Sequence, residues 1–428
     1  MEPEAREDAG AARVLTLSTL SFTLLFAVWL MLGVLAVPIK AEFSLSKIQF
    51  SWLTAIAVLS GSLLRLPVGL WADRVGGRVV MTAITAITAL PCLLMAYASS
   101  YEQLMFYALC FGVAGSSFAS GIAWNSAWFS AARQGVALGT FGAGNVGASF
   151  TKLIGPLLIA LVPAAGLLGG AIPGGWRFVP VLYTVLLLAM AVAVWMLAPT
   201  PDRMPGAGRS LGDRMRPLVE GRVWRFGLYY VVVFGAYVAL SVWLPNYYSS
   251  VYKLSLGNSA LLTALFIFPA SLLRPLGGYL SDRHGPRTVT YWVFVSMTVA
   301  SLALSLIGPE QLGLTGFFLL IEVIAVGMGV GKASVYKYVP QYYPRDVGPV
   351  GGVVGTLGGL GGFVLPLGFG YLEEATHRPE SCFWLVGFFS LASWGAFSAA
   401  VSATKRSEAA PALKSAPAGV LSPSPPGE

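Results

Sequence analysis

The chain has 428 residues, 56% of them hydrophobic and only 11% charged, with a formal net charge of +8. A soluble globular domain carries about 25% charged residues, so this composition excludes a surface that faces water all round and fits one that faces lipid. The basic excess lies along the borders of apolar stretches, so no nucleic-acid partner is expected.

Residues 1–13 are acidic and polar and are expected to form an N-terminal tail. No signal peptide is expected, because the first apolar stretch is too long for a signal h-region. Twelve stretches long enough to cross a roughly 30 Å hydrocarbon layer follow: 14–37, 50–72, 79–98, 104–131, 135–163, 177–198, 223–250, 259–281, 288–308, 314–343, 347–372 and 380–403. Their unbroken apolar character predicts helices, since barrel strands alternate in segments of about ten residues, and a spanning helix satisfies its own backbone. The expected fold is an all-α polytopic membrane protein, twelve transmembrane helices in two pseudo-symmetric halves. The halves run 14–198 and 223–403, joined by a polar linker at 199–222, and a Pro/Ala/Ser-rich tail at 404–428 is expected to be disordered. With both termini on one side, seventeen of the 27 basic residues fall on that side and five on the other. This asymmetry predicts cytoplasmic termini in a cytoplasmic membrane.

The second span ends in Ser62-Leu-Leu-Arg-Leu-Pro-Val-Gly-Leu-Trp-Ala-Asp-Arg-Val-Gly-Gly-Arg78, and the eighth in Ser271-Leu-Leu-Arg-Pro-Leu-Gly-Gly-Tyr-Leu-Ser-Asp-Arg-His-Gly-Pro-Arg287. The constant offset marks an internal repeat, which puts a substrate site near the midplane between the halves. Gly69-x-x-x-Asp73-Arg74-x-Gly76-Gly77-Arg78, repeated from Gly278 to Arg287, resembles the loop motif of the major facilitator superfamily. That resemblance implies that Asp73, Arg74, Arg78, Asp282, Arg283 and Arg287 latch helices during conformational change.

Charges inside spans are costly, by about 2.5–3.5 kcal/mol on insertion scales. Here they are lopsided: Arg65, Lys152, Arg274, Lys332 and Lys337 are cationic, and Glu322 is the one acid clearly within a span. Arg65 and Arg274 each lie eight residues before the motif aspartate, about 12 Å into the membrane at about 1.5 Å per residue. Equal depth predicts two guanidiniums facing a shared central cavity, whose flat forks suit a flat anion. The lysines are expected to line the pore, to pair with Glu322 or to carry protons, and Lys337 can also snorkel to its end of the membrane.

The fifth span is glycine-rich around Gly142-Ala-Gly144-Asn145-Val-Gly147, and the eleventh around Gly355-Thr-Leu-Gly358-Gly359-Leu-Gly361-Gly362. Glycines spaced four apart let helices pack closely in lipid, which suits helices that rock. Gly142 to Gly147 also satisfies G-x-G-x-x-G, but no strand precedes it, so a dinucleotide site is excluded. Gly327 to Lys332 is an incomplete P-loop, with Val326 and Ala333 at required positions. Cys92, Cys110 and Cys382 have no metal-ligand spacing, and His284 and His377 sit in loops, so no metal and no cofactor is expected. Nor is an enzyme, since no span holds a cluster of acid, His or Ser residues.

These two glycine segments resemble the nitrate signatures of the nitrate/nitrite porter family of the major facilitators. The resemblance implies a secondary transporter of nitrate, with nitrite as a second substrate. It implies that Arg65, Arg274 and Asn145 bind the anion and that Phe118, Tyr230 and Phe234 form aromatic walls. Asn145 is also deep enough, about 15 Å from Gly135, to donate to a bound oxygen. Gly331-Lys-Ala-Ser-Val-Tyr336-Lys-Tyr-Val-Pro340 resembles the branch associated with proton-coupled uptake, which makes Tyr336 a further coupling or pore candidate. Ala148 and Ser149 depart from the usual signature, which carries further glycines there. A nitrate/nitrite exchanger and a carrier of another small anion remain the alternatives. A monomer is expected.

Overall fold

The computed structural model describes residues 3–130, 133–163 and 165–414. Twelve helices in it are long and apolar enough to cross a membrane, and each overlaps one of the expected stretches. They are α1 Ala9–Leu35, α2 Ala55–Val75, α3 Gly77–Ala96, α4 Tyr101–Trp128, α5 Gln134–Leu161, α6 Gly175–Leu197, α7 Gly221–Val251, α8 Gly257–His284, α9 Pro286–Leu306, α10 Pro309–Tyr342, α11 Val347–Thr376 and α12 Ser381–Ala403. Large apolar side chains such as Phe106, Met196, Trp292 and Leu306 are exposed on the outside of the bundle, where lipid can solvate them. The protein is a multi-pass membrane protein.

Helix is more extensive at both ends of the chain than expected. The segment read as an N-terminal tail, 1–13, is helical from Pro3, and the last helix runs on to Lys414 rather than ending at 403. Both extensions are rich in Ala, Glu, Lys and Arg, strong helix formers that can continue a turn beyond the membrane border. Residues 415–428, the rest of the tail expected to be disordered, lie outside the described residues.

The two halves share local devices. Ser46, Ser100 and Ser255 each accept a backbone N–H three residues on and so cap the helix Lys47–Leu63 that leads into α2, and the starts of α4 and α8, at the same end of the bundle. At the other end, here called the motif end, the turn leaving α2 passes through Gly76 at φ 91° and the turn leaving α8 through Gly285 at φ 80°. Only glycine takes such angles without strain, which explains why the repeated motif keeps it there. Each helix also breaks just before its arginine, α2 at Leu64 and α8 at Leu273.

Between the halves, α2 packs along α11 and α8 along α5. Glycines set these crossings at the motif end. A Cβ at Gly69 would lie 2.5 Å from the Gly348 carbonyl oxygen, and one at Gly278 would overlap the Gly135 carbonyl. At mid-depth Thr356, beside Gly355, donates to the Ser62 carbonyl at 2.9 Å, and towards the opposite end the Trp52 and Phe363 rings meet at 6.2 Å. Arg65 and Arg274 are buried, so the bundle is closed over its middle.

The linker expected as a polar loop is a structured strap. Arg214 is buried, donating to the Leu70 carbonyl at 2.9 Å and to Asp73 at 3.3 Å. Arg209 reaches the other half and pairs with Asp346 at 2.7 Å. Asp202 accepts the indole N–H groups of Trp124 and Trp128, each at 3.0 Å, and the backbone N–H of Arg78 at 2.9 Å. Tyr343 donates to Glu220 at 2.6 Å, and burial first and that carboxylate second push its phenol up to about 12, so it stays a donor at physiological pH.

Candidate functional site

Midway along the bundle three helices leave regular α geometry: α4 over Gly112–Ser116 and α5 over Ala143–Val146 as 3₁₀ turns, and α7 over Val231–Gly235 as a π turn. Glycines at these points weaken the α ladder, and the loosened backbone offers polar groups to the interior. Irregular backbone at this depth is tolerated only where protein or a cavity satisfies it. All three turns border the same place, and the two arginines occupy it.

Arg65 and Arg274 are 0% and 1% exposed. Arg65 donates from Nε to the Gly115 carbonyl at 3.0 Å and from Nη1 to the Gly355 carbonyl at 2.7 Å, while its Nη2 has no partner in the protein. Arg274 has no partner for Nε or Nη1. Neither arginine forms an ion pair with a described residue. Close by, both polar side-chain atoms of Asn145 and the Tyr230 hydroxyl are buried and likewise without a partner. Buried donors and fixed positive charge with no counter-charge beside them are costly unless an anion completes the cluster.

The walls are aromatic. Phe118 stands parallel to Tyr230 and to Phe234, each 6.1 Å away between ring centres, and Tyr336 meets its edge at 5.0 Å. The Arg65 Cζ lies 5.4 Å and the Arg274 Cζ 5.3 Å from the Phe118 ring centre, so this ring joins the two guanidiniums. A planar anion held face-on between two rings needs roughly 7 Å, twice the optimal contact distance, which is more than the 6.1 Å between these ring centres, so the rings as they stand are closed against each other. Close approach explains two glycines here: a Cβ at Gly142 would overlap the Arg274 guanidinium, and one at Gly355 would sit 3.1 Å from the Arg65 Cδ.

The remaining glycines of the two segments serve packing. Gly144 fits against Phe22, Gly147 against the Thr23 carbonyl, Gly358 against Tyr230, Gly359 against Ser62 and Gly361 against Val231.

Of the other intramembrane charges, Lys332 alone adjoins the site. Lys332 is fully buried beside the site, donating to the Ala270 carbonyl at 3.0 Å with its Nζ 3.0 Å from the centre of the Tyr237 ring. Lys152 donates to the Ser241 carbonyl of α7 at 2.6 Å. Pro245 has no N–H to bond that carbonyl four residues back, so a lysine of one half caps a broken turn of the other. Lys337 pairs with Asp282 at 2.7 Å, at the motif end rather than in the pore. Glu322 is half-buried with Oε1 lacking a partner, and the expected acid–lysine pairing forms at neither Lys152 nor Lys332. Of the loop residues, Asp73 pairs with Arg214, Arg78 donates to the Trp195 carbonyl, Arg283 to Tyr279 and Arg287 to Tyr342, while Arg74 is exposed.

Replacing Lys152 by Met should leave the Ser241 carbonyl uncapped and loosen the seam between α5 and α7 at the end opposite the motif. A cysteine placed at Ser241 should then react several-fold faster with an impermeant maleimide from that side. An unchanged rate would mean that the lysine does not hold that end closed.

Sequence reasoning missed Trp29, whose ring lies 5.3 Å from the Arg65 Cζ, and Tyr237, which donates to the Asn145 carbonyl at 3.3 Å. The signal that could have found Tyr237 is its position seven residues after Tyr230, two helical turns along one face.

The sequence profile of the Major Facilitator Superfamily matches residues 17–366 and 260–422. The chain is 55% identical over 398 residues to a probable nitrate/nitrite antiporter, NarK1, of Thermus thermophilus, covering 89% of each chain. It is 30% identical over 378 residues to the nitrite extrusion protein of Bacillus subtilis, covering 88% of this chain and 90% of that one. Among solved structures, the human organic anion transporter MFSD10 superposes with a TM-score of 0.72 at 15% identity, over 93% of this chain and 100% of that one; at that identity the likeness concerns the fold. Twelve spans in two related halves, a repeated loop motif and this degree of identity establish that the chain belongs to the nitrate/nitrite porter family of the major facilitator superfamily and is a membrane transporter, not an enzyme.

Proposed function

We propose that the protein carries nitrate, with nitrite as a second substrate, by alternating access, and that it imports nitrate together with a proton. One observation carries the substrate: two buried guanidiniums with unpaired N–H groups and no carboxylate, set against parallel aromatic rings. Nitrate is small, flat and trigonal. Its oxygens suit the fork of an arginine, and its face suits a ring. An anion with a longer organic chain would have to displace Phe118 or Tyr230. The printed names of the relatives support this substrate class.

In this reading Arg65 and Arg274 hold the anion, Asn145 donates to one of its oxygens, and the halves rock about it. The basic bias puts the motif end and both termini in the cytoplasm. Nitrate/nitrite exchange is the second reading. It is favoured by the permanent charge of the two arginines, whose repulsion an anion relieves in both directions of movement, and by the antiporter name of the Thermus relative.

Uptake into proteoliposomes separates these readings. Acceleration by an inward proton gradient without internal nitrite is the result expected of symport. Uptake that needs internal nitrite and ignores the gradient would establish exchange, and no nitrate flux under either condition would sink the substrate.

A further inference from the structure

We propose that Lys332 carries the proton that accompanies the anion; this rests on the symport reading above. Lys332 sits on α10, one turn before Tyr336, with its ammonium nitrogen 3.0 Å from the Ala270 carbonyl of α8, one turn before Arg274. Arg274 faces it from α8 within electrostatic reach. From α7 come Tyr237, whose ring lies under the nitrogen at 3.0 Å, and Phe234 at 5.9 Å. On the side of α9 the neighbouring contact is Thr290 with Ser334, which are both neutral. No carboxylate of the described residues pairs with Lys332, and it is fully buried.

An ammonium and a guanidinium would therefore share a buried site with no carboxylate of the described residues to balance them. The environment serves a neutral amine as well, because an N–H can still bond the Ala270 carbonyl and lie over the Tyr237 ring. Each half of the load then helps the other. A bound anion favours the protonated amine, and a protonated amine favours the anion by the same factor. The charge of the site also comes out even: two guanidiniums beside a neutral amine carry the same net charge as two guanidiniums, an ammonium and a nitrate. Both the loaded and the unloaded carrier can close over that charge. The anion alone changes it.

With the carrier open to the outside, water gives a proton to the Lys332 Nζ as nitrate enters, and with it open to the cytoplasm the amine returns the proton to water as nitrate leaves. Tyr237 steadies the lysine, its hydroxyl bonded to the Ser271 hydroxyl at 3.1 Å and to the Asn145 carbonyl at 3.3 Å. The same tyrosine thus touches the lysine and the segment that carries Asn145.

The test uses the full chain in proteoliposomes loaded with a pH-sensitive dye, comparing wild type, Lys332→Gln and Lys332→Arg. Two quantities are read: nitrate counterflow at equal pH, and acidification of the interior per nitrate taken up. The wild type should acidify. Both variants should keep measurable counterflow, slowed by up to about tenfold, and lose the acidification. A Lys332→Gln protein that acidifies in the wild-type ratio overturns the proposal. So does loss of counterflow in both variants, which would make Lys332 part of the clamp. A wild type that moves nitrate without protons overturns the symport reading itself and the lysine's role with it.

Discussion

Removing either guanidinium should abolish transport while leaving the fold intact or steadier. In Arg274→Met, nitrate uptake should fall more than a hundredfold. A hydrogen bond to a charged group contributes about 1.5–3 kcal/mol, and a bidentate grip makes two. The same substitution removes a buried cation whose Nε and Nη1 have no partner, and such a group destabilises the fold that contains it. The melting temperature of Arg274→Met should therefore rise, and nitrate should no longer raise it further. Arg65→Met should lose transport equally but gain less stability, because it strands the carbonyls of Gly115 and Gly355 that Arg65 now bonds. Arg274→Lys should also fail, since an ammonium offers a point charge instead of a fork. Wild-type uptake in Arg65→Ala or Arg274→Lys would refute the clamp.

The trade of stability for binding explains which features the sequence exposes. Arg65 and Arg274 are legible because a charge inside a span needs a reason and because the repeat gives both the same depth. Their equivalence reaches further than the motif: the helix breaks at Leu64 and Leu273 lie just before them. Features that depend on two distant segments were not legible. Lys152 reads as an isolated buried lysine until Pro245, on another helix, frees the carbonyl it caps. Arg209 and Arg214 read as solvated charges of a polar linker, yet one is buried against Asp73 and the other grips Asp346. Lys337 reads either as lining the pore or as snorkelling to its end of the membrane, and Asp282 holds it at the motif end. Aromatic residues are the hardest, because a Trp or Tyr on an apolar helix looks the same whether it faces lipid or a guanidinium. Trp29 passes unmarked in the sequence and yet stacks near Arg65.

Closure of the motif end should depend on four glycines more than on its ion pairs. Gly69 and Gly278 occupy equivalent positions of the repeat, and each lets its helix run against the backbone of the other half, at Gly348 and Gly135. A methyl group at Gly69 would lie 2.5 Å from the Gly348 carbonyl oxygen, where backbone cannot yield as a flexible side chain would. The helices must part, and Asp73 and Asp282, which border Gly348 and Gly135, part with them. By contrast, the partly exposed pair of Arg209 with Asp346 can part and reform as the helices shift, and pairs at a wet surface contribute about 0–1 kcal/mol each. Gly69→Ala or Gly278→Ala should therefore cut nitrate transport at least tenfold, with nitrate binding retained because Arg65 and Arg274 stay in place. A cysteine at Val347, which is buried at the closed motif end, should become reactive from the motif side in these variants, in a background with Cys92, Cys110 and Cys382 replaced by serine. Gly395→Ala is the control, since nothing lies within 4 Å of a Cβ there, and alanine favours a helix over glycine by up to about 1 kcal/mol. Full transport in Gly69→Ala and Gly278→Ala, with Val347→Cys still protected, would mean that the motif end closes without the close approach and that the strap through Arg209 and Arg214 holds it instead.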